Sequence, residues 1–361
     1  GAGSFPDRVY GCNTKDLQRK KTKKEFEREK MMRKKTIRRK MAAVTAAILV
    51  GILAGCGSQN QSSGSVEEIN IAYQYGLAYA PVVISMEKEF IEQRYEELTG
   101  EKITVTWTQM NSGADINTGI TSGNIDIGFM GIAPAITGCM NNVGYKIFTN
   151  VSGQEHGLMS NSEEIQTLGD LVGSGHQIAL VNTGSIQHII LARALDHAGY
   201  DPHALDSNIV AMKHPDGMNA VQTGNVKCHL TTNPYLLKER TDSSLHEIPE
   251  VSEVWSKEES FIVGVASEKI HNENPELYQA ICEAINQAIE LINSDIESAA
   301  SITYELDGNL LEEEIDYLSA GKYSVETTGV FELAKFMGET GFIDTVPEAY
   351  EELVFENVSG N

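Results

Sequence analysis

The chain of 361 residues carries 28 Lys and Arg against 51 Asp and Glu, a formal net charge of −23. The imbalance is uneven: the first 55 residues hold 15 of the basic and 5 of the acidic side chains, leaving 13 basic against 46 acidic residues from Cys56 onward. Such a surface argues against nucleic acid, whose binding rests on neutralised phosphates, and against docking on anionic lipid. An anionic ligand would have to be held by local dipoles against the overall field.

Residues 1–31 open on Gly and carry KKTKKEFEREK ahead of Met31 and Met32. They are expected to lie upstream of the true start and are set aside. Residues 32–55 run from RKKTIRRK into AAVTAAILVGILAG. This apolar run falls short of the roughly 20 residues that span a bilayer. Basic, then apolar, then small residues make an export signal. Leu53-Ala54-Gly55-Cys56 resembles the bacterial lipobox. The resemblance implies cleavage just before Cys56 and diacylation of its thiol, which anchors the chain by buried acyl methylenes. Residues 56–65, rich in Ser, Gln and Gly, then form a flexible tether.

After the tether, INIAYQY alternates as a strand, and a Gly-containing loop leads to an expected helix over 82–98, apolar at Val83, Met86, Phe90 and Leu98. ITVTWTQM is a second strand, a helix starts after Ser112-Gly113, and IDIGFMG is a third strand. Near Leu168 the cadence restarts. QIALVNTGS gives a strand and loop and IQHIILARALDHAG a helix; NIVAMKH and VKCHLTT are strands with a helix between them. FIVGVAS is another strand, and the chain is helical in character after Pro275. Two successive runs of alternating strand and helix imply two α/β lobes, each a mainly parallel sheet flanked by helices.

No GxSxG elbow, HExxH, GxGxxG or Walker loop is present. Cys139, Cys228 and Cys282 follow no CxxC or metal-like spacing. Neither a cofactor nor a metal is expected. Instead, a strand end, a small-residue loop and a helix start recur at Asn111-Ser112-Gly113, Gly131-Ile132-Ala133 and Thr183-Gly184-Ser185. The unpaired N–H groups and positive dipole at a helix start hold anions or polar acceptors, and ligands of open α/β sheets bind beyond the strands' carboxyl ends. Of nine histidines, His188 lies one helical step beyond a Gly-Ser turn and His229 near a strand end. Either, when protonated, could add a cation.

The phrases INIAYQYGLAYAP, ITSGNIDIGFMGIAPAITG, LGDLVGSGHQIALVNTGSIQHIILARAL, DGMNAVQTGNVKCHLTTNPYL and FIVGVASEKIHNENPEL follow one another in order. In this order the chain resembles the extracytoplasmic substrate-binding proteins of ABC importers for nitrate, taurine, aliphatic sulfonates and thiamine-precursor pyrimidines. The resemblance implies a two-lobed type II periplasmic-binding fold, with lobe one at 66–160 and 250–361 and lobe two at 161–249. A small-molecule ligand is caught between the lobes as they hinge shut. Tyr75, Tyr79, Asn111, Ser112, Gly113, Gly131, Ile132 and Ala133 would line the site from lobe one. Thr183, Gly184, Ser185, His188, His229 and Asn233 would line it from lobe two.

The implied protein is a monomer with no reaction of its own, held at the outer face of the cytoplasmic membrane by its lipid and partnered by an ABC permease and ATPase. No Arg or Lys stands in residues 71–81, and Asn233-Pro234-Tyr235 lacks the tryptophan frequent in sulfonate binders. A small anion and a flat ring sandwiched by Tyr75, Tyr79 and Tyr235 both stay open as cargo. A ligand-sensing module uses the same cleft, and the fold also hosts cysteine-dependent enzymes, whose site cysteine is missing from the 73–81 loop.

Overall fold

Short β-branched runs stopped by glycine or small polar residues make the strands of two separate sheets. The computed structural model describes residues 66–361; the expected leader, export signal, Cys56 and tether lie outside them. The strands are β1 (Glu68–Gln74), β2 (Thr104–Met110), β3 (Ile127–Gly131), β4 (Tyr145–Gly153), β5 (His156–Ser160) and β6 (Ile178–Leu180), followed by β7 (Ile209–Ala211), β8 (Cys228–Thr232), β9 (His246–Ile248), β10 (Ile262–Ser267) and β11 (Lys322–Tyr323). The first sheet has the order β11-β4-β10-β3-β1-β2 and the second β7-β6-β8-β5-β9.

In the first sheet β1 runs parallel to β2 and β3, and β10 runs against both β3 and β4. In the second, β6 runs parallel to β7 and β8, while β5 runs against β8 and β9. In each sheet the strand on which the chain arrives from the other sheet, β10 or β5, opposes its neighbours. The chain therefore crosses twice, once between Gly153 and His156 and once between Ile248 and Ile262. The crossings touch. A Cβ at Gly153 would lie 2.0 Å from the Lys257 carbonyl oxygen, so only glycine fits.

Two expectations change. The lobe boundary at 160 is too late, because β5 hydrogen-bonds into the second sheet from His156 to Ser160. The helix Pro249–Val254 packs on β5 and on the helix Ile186–His197, so the second sheet keeps the chain past 249. The single helix expected over 82–98 is two, Ala80–Glu87 and Phe90–Thr99. Glu89 between them is left-handed (φ 54). The break lets each piece lie separately against the long helix Pro275–Ser294, burying Val82 and Ile84 from one and Ile91 and Tyr95 from the other.

The β1–β2 register runs from Glu68 opposite Thr104 to Gln74 opposite Met110. Tyr75 and Asn111 therefore leave the sheet side by side, and the loops that matter start from a fixed edge. No helix among the described residues is long and apolar enough to cross a membrane.

Candidate functional site

A cavity of about 510 Å³ opens beyond the carboxyl ends of β1, β2 and β3 on one side and β6, β7 and β8 on the other. Its size suits an organic ligand. The first wall is the turn Tyr75–Tyr79, the β2 end with Asn111, the helix starting at Gly113, and Gly131 with Pro134. The second is the loop Asn182–Gln187, the segment Lys213–Pro215, and Thr232, Asn233 and Tyr235. Phe261 and Phe342 add apolar surface.

Helices begin at this cavity on both walls: Ala80, Gly113, Ile132, Ile186 and His214 each open one. Their first-turn dipoles give the cleft positive ends. Among the described residues that line it there is no Asp or Glu, and Lys213 is the single Lys or Arg. In so acidic a chain the wall itself carries no carboxylate, while Asp307 acts on Tyr75 and Tyr235 from beside it.

Nine of the fourteen expected ligand residues meet here: Tyr75, Tyr79, Asn111, Gly113, Gly131, Thr183, Gly184, Ser185 and Asn233. Tyr79 is buried and donates its hydroxyl to Gln74 Oε1 at 3.1 Å. Gly113 is there because a Cβ would stand 2.4 Å from Pro134 Cγ. Asn233 is buried, with Nδ2 on Gln154 Oε1 at 3.4 Å.

The other five stand off the cavity wall. Ser112 caps its helix instead, its hydroxyl accepting from the Asp115 N–H at 3.1 Å. Ile132 and Ala133 are buried, and the Ile132 N–H is spent on the Phe261 carbonyl at 2.8 Å. His188 turns away. Its Nδ1 accepts from the Gly184 N–H at 3.0 Å and its Nε2 meets Asp206 Oδ1 at 2.8 Å. The ring is a strut beneath the Thr183–Ser185 loop and does not line the cleft. His229 is buried behind the wall, with Nδ1 on Glu239 Oε1 at 2.6 Å, and burial pushes it down to about 3.

Sequence reasoning missed Lys213, His214 and Gln187. The first two follow β7 and open a helix with Pro215 in its first turn, a helix-start signal of the same kind as the three loops recognised. His214 stacks on the Tyr235 ring, centroids 5.8 Å apart and planes 26° apart. Burial, with help from His229, holds it down at about 3. Gln187 donates to the buried His156 Nε2 at 3.2 Å. Tyr75 and Tyr235 both line the cavity, and each shifts the other's hydroxyl pKa, a sign that the two are close.

Thiol chemistry finds no support at this site. Cys139, Cys228 and Cys282 are free, none lines the cavity, and burial pushes them up to about 12, 11 and 12. No cluster of three or more His, Cys, Asp or Glu among the described residues could hold a metal ion.

The sequence pattern of the NMT1-like family matches residues 62–304. A Bacillus subtilis (strain 168) protein, whose name proposes aliphatic sulfonates as its ligand, is 25% identical over 204 residues, covering 55% of this chain and 58% of its own length. The taurine-binding periplasmic protein of Escherichia coli (strain K12) is 24% identical over 274 residues, covering 70% of this chain and 82% of its own. The chain thus spans little more than half of the sulfonate relative. Among solved structures, the periplasmic aliphatic sulphonate binding protein of Escherichia coli superposes with a TM-score of 0.63 at 19% identity, over 82% of this chain and 94% of that one. The likeness establishes a two-lobed periplasmic-binding-protein fold.

Proposed function

The chain belongs to the NMT1-like family, and from that membership we propose that it is the extracytoplasmic substrate-binding component of an ABC importer, closing two hinged lobes over an organosulfonate. The observation that carries this reading is the cleft itself: free of Asp and Glu among its described residues, ringed by helix starts and furnished with Lys213. An oxyanion without a fixed protein counter-ion is best held by such ends. Leu77, Met110, Phe261 and Phe342 offer apolar contact to a carbon body that nitrate lacks. Taurine would bring an ammonium group and find no carboxylate in the cleft to pair it, which favours an alkanesulfonate over the amino form.

On this reading the touching crossings at Gly153 and Lys257 are the hinge, with sheet one and sheet two as the moving lobes. The protein performs no reaction, acts as a monomer and hands its ligand to a permease driven by a separate ATPase. Cys56 carries the lipid that keeps it at the membrane's outer face.

Thermal unfolding of the full-length chain with ethanesulfonate, taurine, nitrate and an aminopyrimidine tests the reading. A ligand present at 100 times its dissociation constant stabilises by about 2.7 kcal/mol. Ethanesulfonate is expected to raise the melting point, and more than taurine does. A shift from nitrate alone would overturn the organic ligand. A shift from the aminopyrimidine alone would favour the second reading, a flat ring laid against the stacked Tyr235 and His214 beside Tyr75.

A further inference from the structure

From His214 in the second wall a file of three buried or half-buried groups runs inward, and the sulfonate reading above gives none of them a role. His214 lines the cleft; its Nδ1 faces His229 Nε2 at 3.4 Å and the Thr231 hydroxyl at 3.3 Å. His229 Nδ1 meets Glu239 Oε1 at 2.6 Å. Glu239 Oε2 is buried without a hydrogen-bond partner. The helix carrying His214 comes so close that a Cβ at Gly217 would lie 2.5 Å from His229 Nε2. Among the described residues no protein group bonds His214 Nε2, the ring nitrogen that the file leaves unused on a residue that lines the cleft.

We propose that Glu239 and His229 are positioning residues that fix the proton of His214 on Nε2, making this ring a hydrogen-bond donor to the bound anion and reversing it to an acceptor when Glu239 loses its proton. The inference rests on reading the cleft as an anion site.

The proton count follows from the donors and acceptors. With Glu239 neutral, its O–H donates to His229 Nδ1. His229 Nε2–H then donates to His214 Nδ1, and His214 must carry its own proton on Nε2, toward the cleft. With Glu239 ionised, His229 Nδ1–H donates to the carboxylate and its bare Nε2 accepts from His214 Nδ1–H. His214 Nε2 is then a lone pair facing an anion. One proton leaves and every bond in the file turns round.

The orphaned Oε2 favours the neutral carboxyl, since a buried carboxylate oxygen with no donor is far costlier than a carbonyl-like one. Burial, aided by Asp242, pushes Glu239 up to about 8, and burial pushes His229 and His214 down to about 3. Other charged and titratable groups around the file do not reverse this. His156 of β5 is itself held down at about 3. Arg240 is engaged by Glu155 and Glu247, and Lys238 by Asn309. Asp216 and Tyr235 add no cation, and exposed Lys213 sits at the cleft end of the file. The sign is fixed by the raised carboxyl: the donor form holds below about pH 8 and is lost above it.

Nitrogen NMR of the histidine rings in the ligand-free, full-length chain reads the tautomers at about pH 6.5 and about pH 9.5. His214 is expected to carry its proton on Nε2 in the first and on Nδ1 in the second. Glu239→Gln, which has no proton to lose, is expected to abolish the change. Calorimetric titration with ethanesulfonate should show affinity falling roughly tenfold between about pH 7 and about pH 9 in the parent and staying level in Glu239→Gln. A His214 tautomer that is the same at both pH values, or a change that persists in Glu239→Gln, would overturn the relay. A tautomer change abolished by Glu239→Gln, without ethanesulfonate binding at any pH, would uphold the relay and sink the sulfonate reading alone.

Discussion

The two walls of the cleft are built on different principles. The first is shaped by parallel pairing that sets Tyr75 beside Asn111 and by glycines that let helices close in. The second adds side chains braced by others distant in sequence. Gln187 leans on His156, Asn233 on Gln154, and His214 on His229 and through it on Glu239. The first wall supplies shape, and helix starts stand on both. The second supplies the groups that could tell one ligand from another.

The sharpest way to break this contrast is Gly113→Ala. A Cβ there would sit 2.4 and 2.7 Å from the Pro134 ring, which cannot rotate aside. Overpacking of this kind costs about 1–3 kcal/mol, visible as a lowered melting point. At Gly131, the nearest atoms to an added Cβ are 3.6 Å away, an ordinary contact. Gly131→Ala should therefore melt like the parent. Equal melting of the two variants would mean that close packing does not set the first wall.

A smaller effect tests the second wall. His188→Phe keeps an aromatic ring against Phe342, whose centroid is 5.0 Å away, but removes the bonds to the Gly184 N–H and to Asp206. Because Gly184 is exposed, water can replace part of the loss. The expected cost is about 1 kcal/mol of stability, with about a tenfold weaker hold on ethanesulfonate as the Thr183–Ser185 loop loosens. Unchanged affinity would mean that the loop holds its shape without the strut.

These contrasts also explain what the sequence disclosed. The loops at Asn111, Gly131 and Thr183 are legible because strand end, small residue and helix start are neighbours in the chain. His188 is conspicuous for the same reason. Its role is not legible, because the ring's direction depends on Asp206, eighteen residues away. His214 is hidden because its setting comes from β8 and the helix Tyr235–Arg240. Strands β4 and β5 lack clean alternation. Asn150, Ser152 and His156 are buried polar residues; Asn150 Nδ2 donates to the Ser324 carbonyl and the Ser152 hydroxyl to that of Ala78. The break at Glu89 is likewise invisible locally, since it answers to packing against a helix nearly two hundred residues later.

The smallest effect separates the two walls' shares in holding the anion. Lys213 is exposed at the cleft edge, so its charge acts through water and is screened within about 8 Å at physiological salt. Such an exposed charge contributes about 0.2–1 kcal/mol. Lys213→Gln should therefore weaken ethanesulfonate binding no more than about fivefold, and should make the remaining affinity less sensitive to salt. Most of the hold would then come from donors fixed in the fold, the helix starts of both walls among them, which need no counter-ion and keep their effect in a strongly acidic protein. A loss above a hundredfold in Lys213→Gln would reverse that ranking: one side chain of the second wall would hold the anion, and the glycine-shaped first wall would serve only to exclude water.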